Sequence, residues 1–254
     1  MRKVLSIVYY EYRLQSRRPA AWAVLFAALL ISLADNFPSA GNLARLEFLS
    51  QPEYFVYRTI GMDGAIMAFG LVFLLSDRIP VDEKAGVKPL MMAAPLRKWQ
   101  YIAGKMIGAF CFSYTMLCTF LLAGVLVYSI ALPGGVSVSE TAVCVCKAAV
   151  ISILPVSIFV AFSAVAFPVF MDMRLFYLLA GMLFVLNISY VNSADASPFY
   201  LITSGDLLRL IWVHPKWPQI DHESVRANLV FLLACGFGAW GCLSAAKRRV
   251  WRAE

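Results

Sequence analysis

Residues 78–105, RIPVDEKAGVKPLMMAAPLRKWQYIAGK, stand between two long apolar runs. The stretch holds six of the chain's 22 Lys and Arg residues, a short apolar core of Leu90, Met91 and Met92, and a closing Gly104-Lys105 pair. A connection that only turned the chain between two membrane helices would be far shorter. The make-up is that of a folded contact surface at the edge of a membrane.

The rest of the chain supplies the membrane part. Of its 254 residues 61% are hydrophobic and only 15% charged, and the mean hydropathy is +0.74. Soluble domains are usually about 45–50% apolar and about 25% charged. Apolar runs of about 20 residues cross a hydrocarbon core about 30 Å thick. Six such runs are read at 20–34, 61–75, 101–132, 141–170, 175–191 and 228–246. Residues 35–60 read as a polar and aromatic outer loop, and 192–227 as a second long outer segment rich in Pro and Trp. Pro155 and Pro168 are expected to kink the fourth run. The expectation is an all-α, polytopic membrane protein with six transmembrane helices in one domain, 1–254.

Residues 1–19 precede the first run. Leu5, Val8, Tyr9 and Tyr12 fall at i, i+3, i+4 and i+7 and share one helical face. Lys3, Ser6, Tyr10, Arg13 and Arg17 line the opposite side. A basic amphipathic helix here reads as one lying in the membrane interface, its cations near anionic headgroups; the alternative is an ordinary cytosolic helix. The basic start has no small-residue cleavage pattern after its apolar run, so no cleavable signal peptide is read.

Cation placement gives the sidedness. The N-terminal stretch carries five Lys and Arg, the stretch between the second and third runs six, the turn after the fourth run one and the C-terminal end four. The other side carries two and three, and Lys147 lies within the fourth run. The positive-inside rule puts both ends and residues 78–105 in the cytoplasm. The formal net charge of +7 is accounted for by this topology and does not point to nucleic acid.

Several activities lack their residues. No GxxxxGK[ST] occurs, so the chain has no nucleotide site of that kind. Lys147 is the clearest ionisable residue inside a run, and Asp63, Asp77 and Asp172 are read near span ends, where water is close. His214 and His222 lie in the outer segment and read as solvated. Cys111, Cys118, Cys144, Cys146, Cys235 and Cys242 fall in or beside apolar runs and read as small apolar residues; Cys144-x-Cys146 has the wrong spacing for a redox pair. No intramembrane catalytic or metal-binding set is read, and no metal or cofactor is assigned to this chain.

Within 78–105, Pro80 suits the first turn of a short helix, and Asp82 and Glu83 suit its positive dipole end. Gly86 is read as permitting close approach of a neighbour. Pro89 disfavours helix at Lys88, so a second short helix over 90–94 is expected, stopped by Pro95. Physics alone leaves two readings of this surface: a knob inserted into a partner's groove, or an interfacial helix touching only lipid.

Glu83, Gly86, Leu90, Met91, Met92, Pro95, Lys98, Trp99, Ile102, Gly104 and Lys105 follow, without a gap, a pattern of an acidic residue, G-T-L-x-x-L-L-x-S-P-x-S-R and an apolar stretch ending G-K. In this the chain resembles type-2 ABC exporter permeases. It departs at Lys88, where an apolar residue is expected, and at Pro89, which interrupts the helix. The six-span plan and the long last outer segment are also similar to that family. The resemblance implies a permease with a coupling element over 83–94 in a cytosolic loop, 78–100, and a gate-side interfacial helix over 4–18. It also implies two separate ATPase subunits that bind ATP and Mg, a second permease, identical or homologous, and a substrate path near spans 1, 2 and 5. A permease of this kind sits in the plasma membrane of a prokaryote and exports a substrate such as a peptide antibiotic, drug, polysaccharide or lipid-like compound. The alternative is a non-transporting scaffold or sensor that recruits an ATPase.

Overall fold

The structure is a computed structural model, and it describes residues 2–36, 51–86, 96–131, 137–191 and 222–246. Every regular element among them is helical: α1 (Arg2–Ser16), α2 (Pro19–Asn36), α3 (Pro52–Arg58), α4 (Gly64–Ser76), α5 (Arg78–Lys84), α6 (Lys98–Ala131), α7 (Val138–Ala148), α8 (Leu154–Phe170), α9 (Met173–Val191) and α10 (His222–Ala245). Hydrocarbon offers backbone amides no water to bond, so an apolar chain closes its hydrogen bonds within helices.

Among the described residues four helical stretches are long and apolar enough to cross a membrane: Gly64–Asp82, Lys98–Ala131, Val138–Phe170 and Arg226–Ala245. A fifth is reached if Arg2–Ser16 and Pro19–Ala34, bent by 61° at their junction, count as one. Six spans were expected. The run 20–34 enters only through that bent pair, and the apolar part of α9, Met173–Asn187, is a shorter helix. The bend falls where Pro19 opens α2; a missing N–H costs nothing in a first turn.

Two other expectations change. The outer loop 35–60 is helical in its second part, because α3 continues through a π-helical turn, Thr59–Asp63, into α4. Phe55 and Val56 have no exposed surface, and Phe55 stacks on Tyr128 with ring centroids 5.3 Å apart. Alternating aromatic and polar residues read as a loop hid an element held by burial. Asp63, expected near water, is instead buried and accepts a 2.6 Å hydrogen bond from Ser32 Oγ. The fourth run is broken by a π-helical turn at Ala149–Ile153. Pro155 lacks the N–H that would bond Ile151, and its ring crowds that carbonyl, so the helix widens just before it.

Helix α8 is the hub, packed on α4, α6 and α10. Its Val160, Ala161, Ala164 and Ala166 are fully buried. Lipid supplies no hydrophobic drive between helices, so small residues that let backbones approach do much of the packing. On α10, a Cβ added at Gly236 would meet Ile158 Cγ2 at 3.1 Å. Helix α9 is fixed to α4 by Phe69–Phe184 and Phe73–Tyr177 stacking at 4.4 and 4.7 Å.

Candidate functional site

At one end of the bundle α1, α5 and α6 meet around buried charge. Each contributes through i, i+4 spacing, which places side chains one above another on a helix face. Ile7, Glu11 and Gln15 form the buried stripe of α1. Arg78 and Asp82 stand on α5, and Tyr101 and Lys105 on α6. Glu11 is 1% exposed, Arg78 1% and Lys105 2%.

The ion pairs are short. Arg78 Nε donates to Glu11 Oε1 at 2.6 Å. Lys105 Nζ lies 2.7 Å from Glu11 Oε2 and 2.8 Å from Asp82 Oδ2. Tyr101 OH donates to the same Asp82 oxygen at 2.8 Å, and Gln15 Nε2 donates to Glu11 Oε1 at 3.2 Å. Burial alone would push the Glu11 carboxyl up. The charges of Lys105 and Arg78, with the hydrogen bonds they donate, outweigh it and hold the group below its ordinary value. Arg78 Nη2 and Gln15 Oε1 are buried without a hydrogen-bond partner.

Glycine sets the depth of α1. A Cβ at Gly104 would lie 2.5 Å from Ile7 Cγ2, and one at Gly108 would lie 2.7 Å from Glu11 Cβ. Gly104 and Gly108 form a small-xxx-small pair on which α1 rests, and that approach lets the short Glu11 side chain reach Lys105. A second, more open pair guards the elbow between α1 and α2. Arg18 forks onto Asp77, Nη2 to Oδ2 at 2.8 Å and Nη1 to Oδ1 at 3.2 Å, and also donates to Leu74 O. Lys98 Nζ donates to Ser244 O at 2.9 Å and ties the start of α6 to the last turn of α10.

The residues named from the sequence fall around this cluster. Leu5 and Tyr9 are exposed, Val8 and Tyr12 half-buried, and Arg13 and Arg17 exposed. The buried stripe of α1 is thus rotated from the apolar face read by periodicity, and it centres on a carboxylate. Glu83 lies in α5. Gly86 lies just past α5 with φ +66°, and no described residue stands within 4 Å of a Cβ built there. Its glycine serves a left-handed helix ending. Asp82, expected to face the dipole of its own helix, is engaged by Lys105 and Tyr101. Leu90, Met91, Met92, Pro95 and residues 192–221 of the outer segment lie outside the described residues, while the rest of that segment, 222–227, is the helical start of α10.

Periodicity missed Glu11, Gln15, Arg78, Tyr101 and Gly108. The available signal was a set of polar i, i+4 pairs on three helices beside a GxxxG. Among the described residues no group of three or more His, Cys, Asp or Glu could hold a metal ion. Comparison with known protein families, curated proteins and solved structures finds no match to the chain.

Proposed function

We propose that the chain is the membrane-spanning permease of a type-2 ABC exporter. In this reading it has six spans and both ends in the cytoplasm of a prokaryote. It works with a second permease and two separate ATPase subunits that bind ATP and Mg. Residues 83–94 receive the motion of an ATPase subunit, and α1 carries it to the spans.

One observation carries the reading beyond the motif: the segment leading into the loop is ion-paired to its neighbours. Arg78 and Asp82 of α5 join Glu11 of α1 and Lys105 of α6. A push on the chain just past Gly86 would reach an interfacial helix and a membrane span through the same side chains. Breaking one partner of a buried pair is costly, so α1, α5 and the base of α6 move as one body. The unsaturated Arg78 Nη2 and Gln15 Oε1 suit a cluster that has a second arrangement to reach.

The test is reconstitution of the full chain with an ABC ATPase encoded beside it. Expected are a stable complex and an ATPase rate that depends on the permease and drops when Glu83 is changed to Ala or Gly86 to Val. No affinity for the ATPase, together with unchanged rates in both variants, would overturn the reading.

A further inference from the structure

Helices α8 and α9 are consecutive and antiparallel, yet they do not close on each other. The aromatic stacks of α9 hold it to α4, and Tyr177 OH and Ser76 Oγ share a 3.1 Å hydrogen bond. Between α8 and α9 an open slot of 490 Å³ remains. Phe159, Ser163 and Phe167 line one wall, Phe176, Leu183 and Leu186 the other, and Met171 of the connecting turn lines the end beside that turn. From Phe176 to Leu186 the slot follows ten residues of helix, about 15 Å. Its lining is almost wholly apolar; Ser163 Oγ is buried with no hydrogen-bond partner.

We propose that this slot holds an acyl chain of an anionic phospholipid from the leaflet on the charge-cluster side. Water does not fill an apolar space of this kind, and an empty one forfeits dispersion contacts on both walls. The rim continues into the bilayer-facing surface of α9: Met182 and Leu186 are more than half exposed, alongside exposed Leu178 and Val185. A chain can therefore enter sideways from the membrane. The position of the connecting turn identifies the leaflet. The turn 171–174 lies beside Ser76 and Tyr177, on the same side as Arg18, Asp77 and the ion cluster. This is the side that the cation count assigns to the cytoplasm. Arg174, exposed at the start of α9, gives the headgroup a cationic partner at the membrane surface. The inference rests on the membrane character of the helices and not on the ABC reading, so the two fail separately.

The probe is phosphatidylglycerol with a diazirine on one acyl chain, photolysed with the full chain in nanodiscs and mapped by peptide mass spectrometry. Expected are adducts on α8 and α9 in several-fold excess over the exposed Trp22, Phe26 and Leu30 stripe of α2. Ala164→Trp fills the slot and should bring labelling down to the α2 level. Leu186→Trp, at the exposed rim, should do the same without straining the core. A phosphatidylcholine probe with the same chain should label less. Arg174→Gln should shrink that difference by about fivefold, the worth of one cation near an anionic surface. Equal labelling of α2 and the slot, labelling blind to Leu186→Trp, equal capture of both headgroups, or cross-links from the slot to a second copy of the chain would each overturn the proposal.

Discussion

Removing Glu11 from the cluster takes a shared carboxylate from two buried cations. Glu11→Gln keeps the shape of the side chain and its contact with Gly108, so the change is electrostatic. At a charge separation of about 4 Å and an effective dielectric near 20, each attraction is worth about 4 kcal/mol. Glu11 makes two, to Arg78 and Lys105. Against them stands carboxylate desolvation of several kcal/mol, which the substitution relieves. Lys105 keeps Asp82 at 2.8 Å, but Arg78, at 1% exposure, is left with only a 3.9 Å approach to Asp77, so the net loss is about 3–5 kcal/mol. Lys105→Met costs a similar amount by removing one of the two cations on Glu11 and the ammonium on Asp82. The double variant Glu11→Gln/Lys105→Met strands neither partner of the deleted pair, and its loss should fall short of the sum by about 2–3 kcal/mol. Reversible SDS unfolding in mixed micelles reads all three values. Arg18→Gln is the contrast: its pair with Asp77 is 28% and 32% exposed, and it should cost no more than about 1 kcal/mol. Additive losses for Glu11 and Lys105, within about 0.5 kcal/mol, or an Arg18 loss as large as that of Glu11, would refute the assignment of the cluster as the tie between α1 and α6.

Acid should loosen the same joint. The folded Glu11 carboxyl lies below its ordinary value, so its contribution is fully present above the ordinary carboxylate pKa and is lost as pH falls through the lowered one. Protease nicking at exposed Arg13 or Arg17 should rise in that acidic window, and Glu11→Gln should flatten the profile. Gly108→Leu should lift α1 from α6, since even a Cβ there would meet Glu11 Cβ at 2.7 Å; spin labels on Tyr10 and Phe110 should move apart by several ångströms. Gly181→Ala, where nothing stands within 4 Å, should leave that distance alone. Gly86→Ala forces a Cβ into a left-handed turn at φ +66° and should cost about 1 kcal/mol of helix-end stability. Hydrogen exchange over Val81–Lys84 should quicken, and Gly86→Asn should be milder.

The helices of the membrane part were legible because a run of apolar residues has little choice but helix in lipid. That argument does not say which face of a helix turns inward, and the errors cluster there. On α1, Leu5 and Tyr9 announce an apolar face, but in a bilayer such a face has lipid to meet, and the protein-facing stripe is free to be polar. Glu11 and Gln15 occupy it. A soluble helix with the same sequence would be expected to turn Leu5 inward, whereas here Leu5 is exposed. The same reasoning explains why residues 52–58 were read as a loop, since polar and aromatic residues near the end of a span fit a wet connection or a packed helix equally well until Phe55 is seen stacked on Tyr128.

The Gly104-Lys105 pair has a physical role that its place in a pattern does not announce. In the sequence it closes a pattern. In the structure glycine and lysine act on one contact. Gly104, with Gly108, brings α1 close enough for a carboxylate to meet the ammonium that follows it in the chain. Each residue supports the other here: a lysine at 105 facing an α1 held off by side chains would lose Glu11 and keep only Asp82, and a glycine without the charge would leave Glu11 to Arg78. The pair is informative in combination, and its partner lies 94 positions earlier in the chain, beyond the reach of local periodicity.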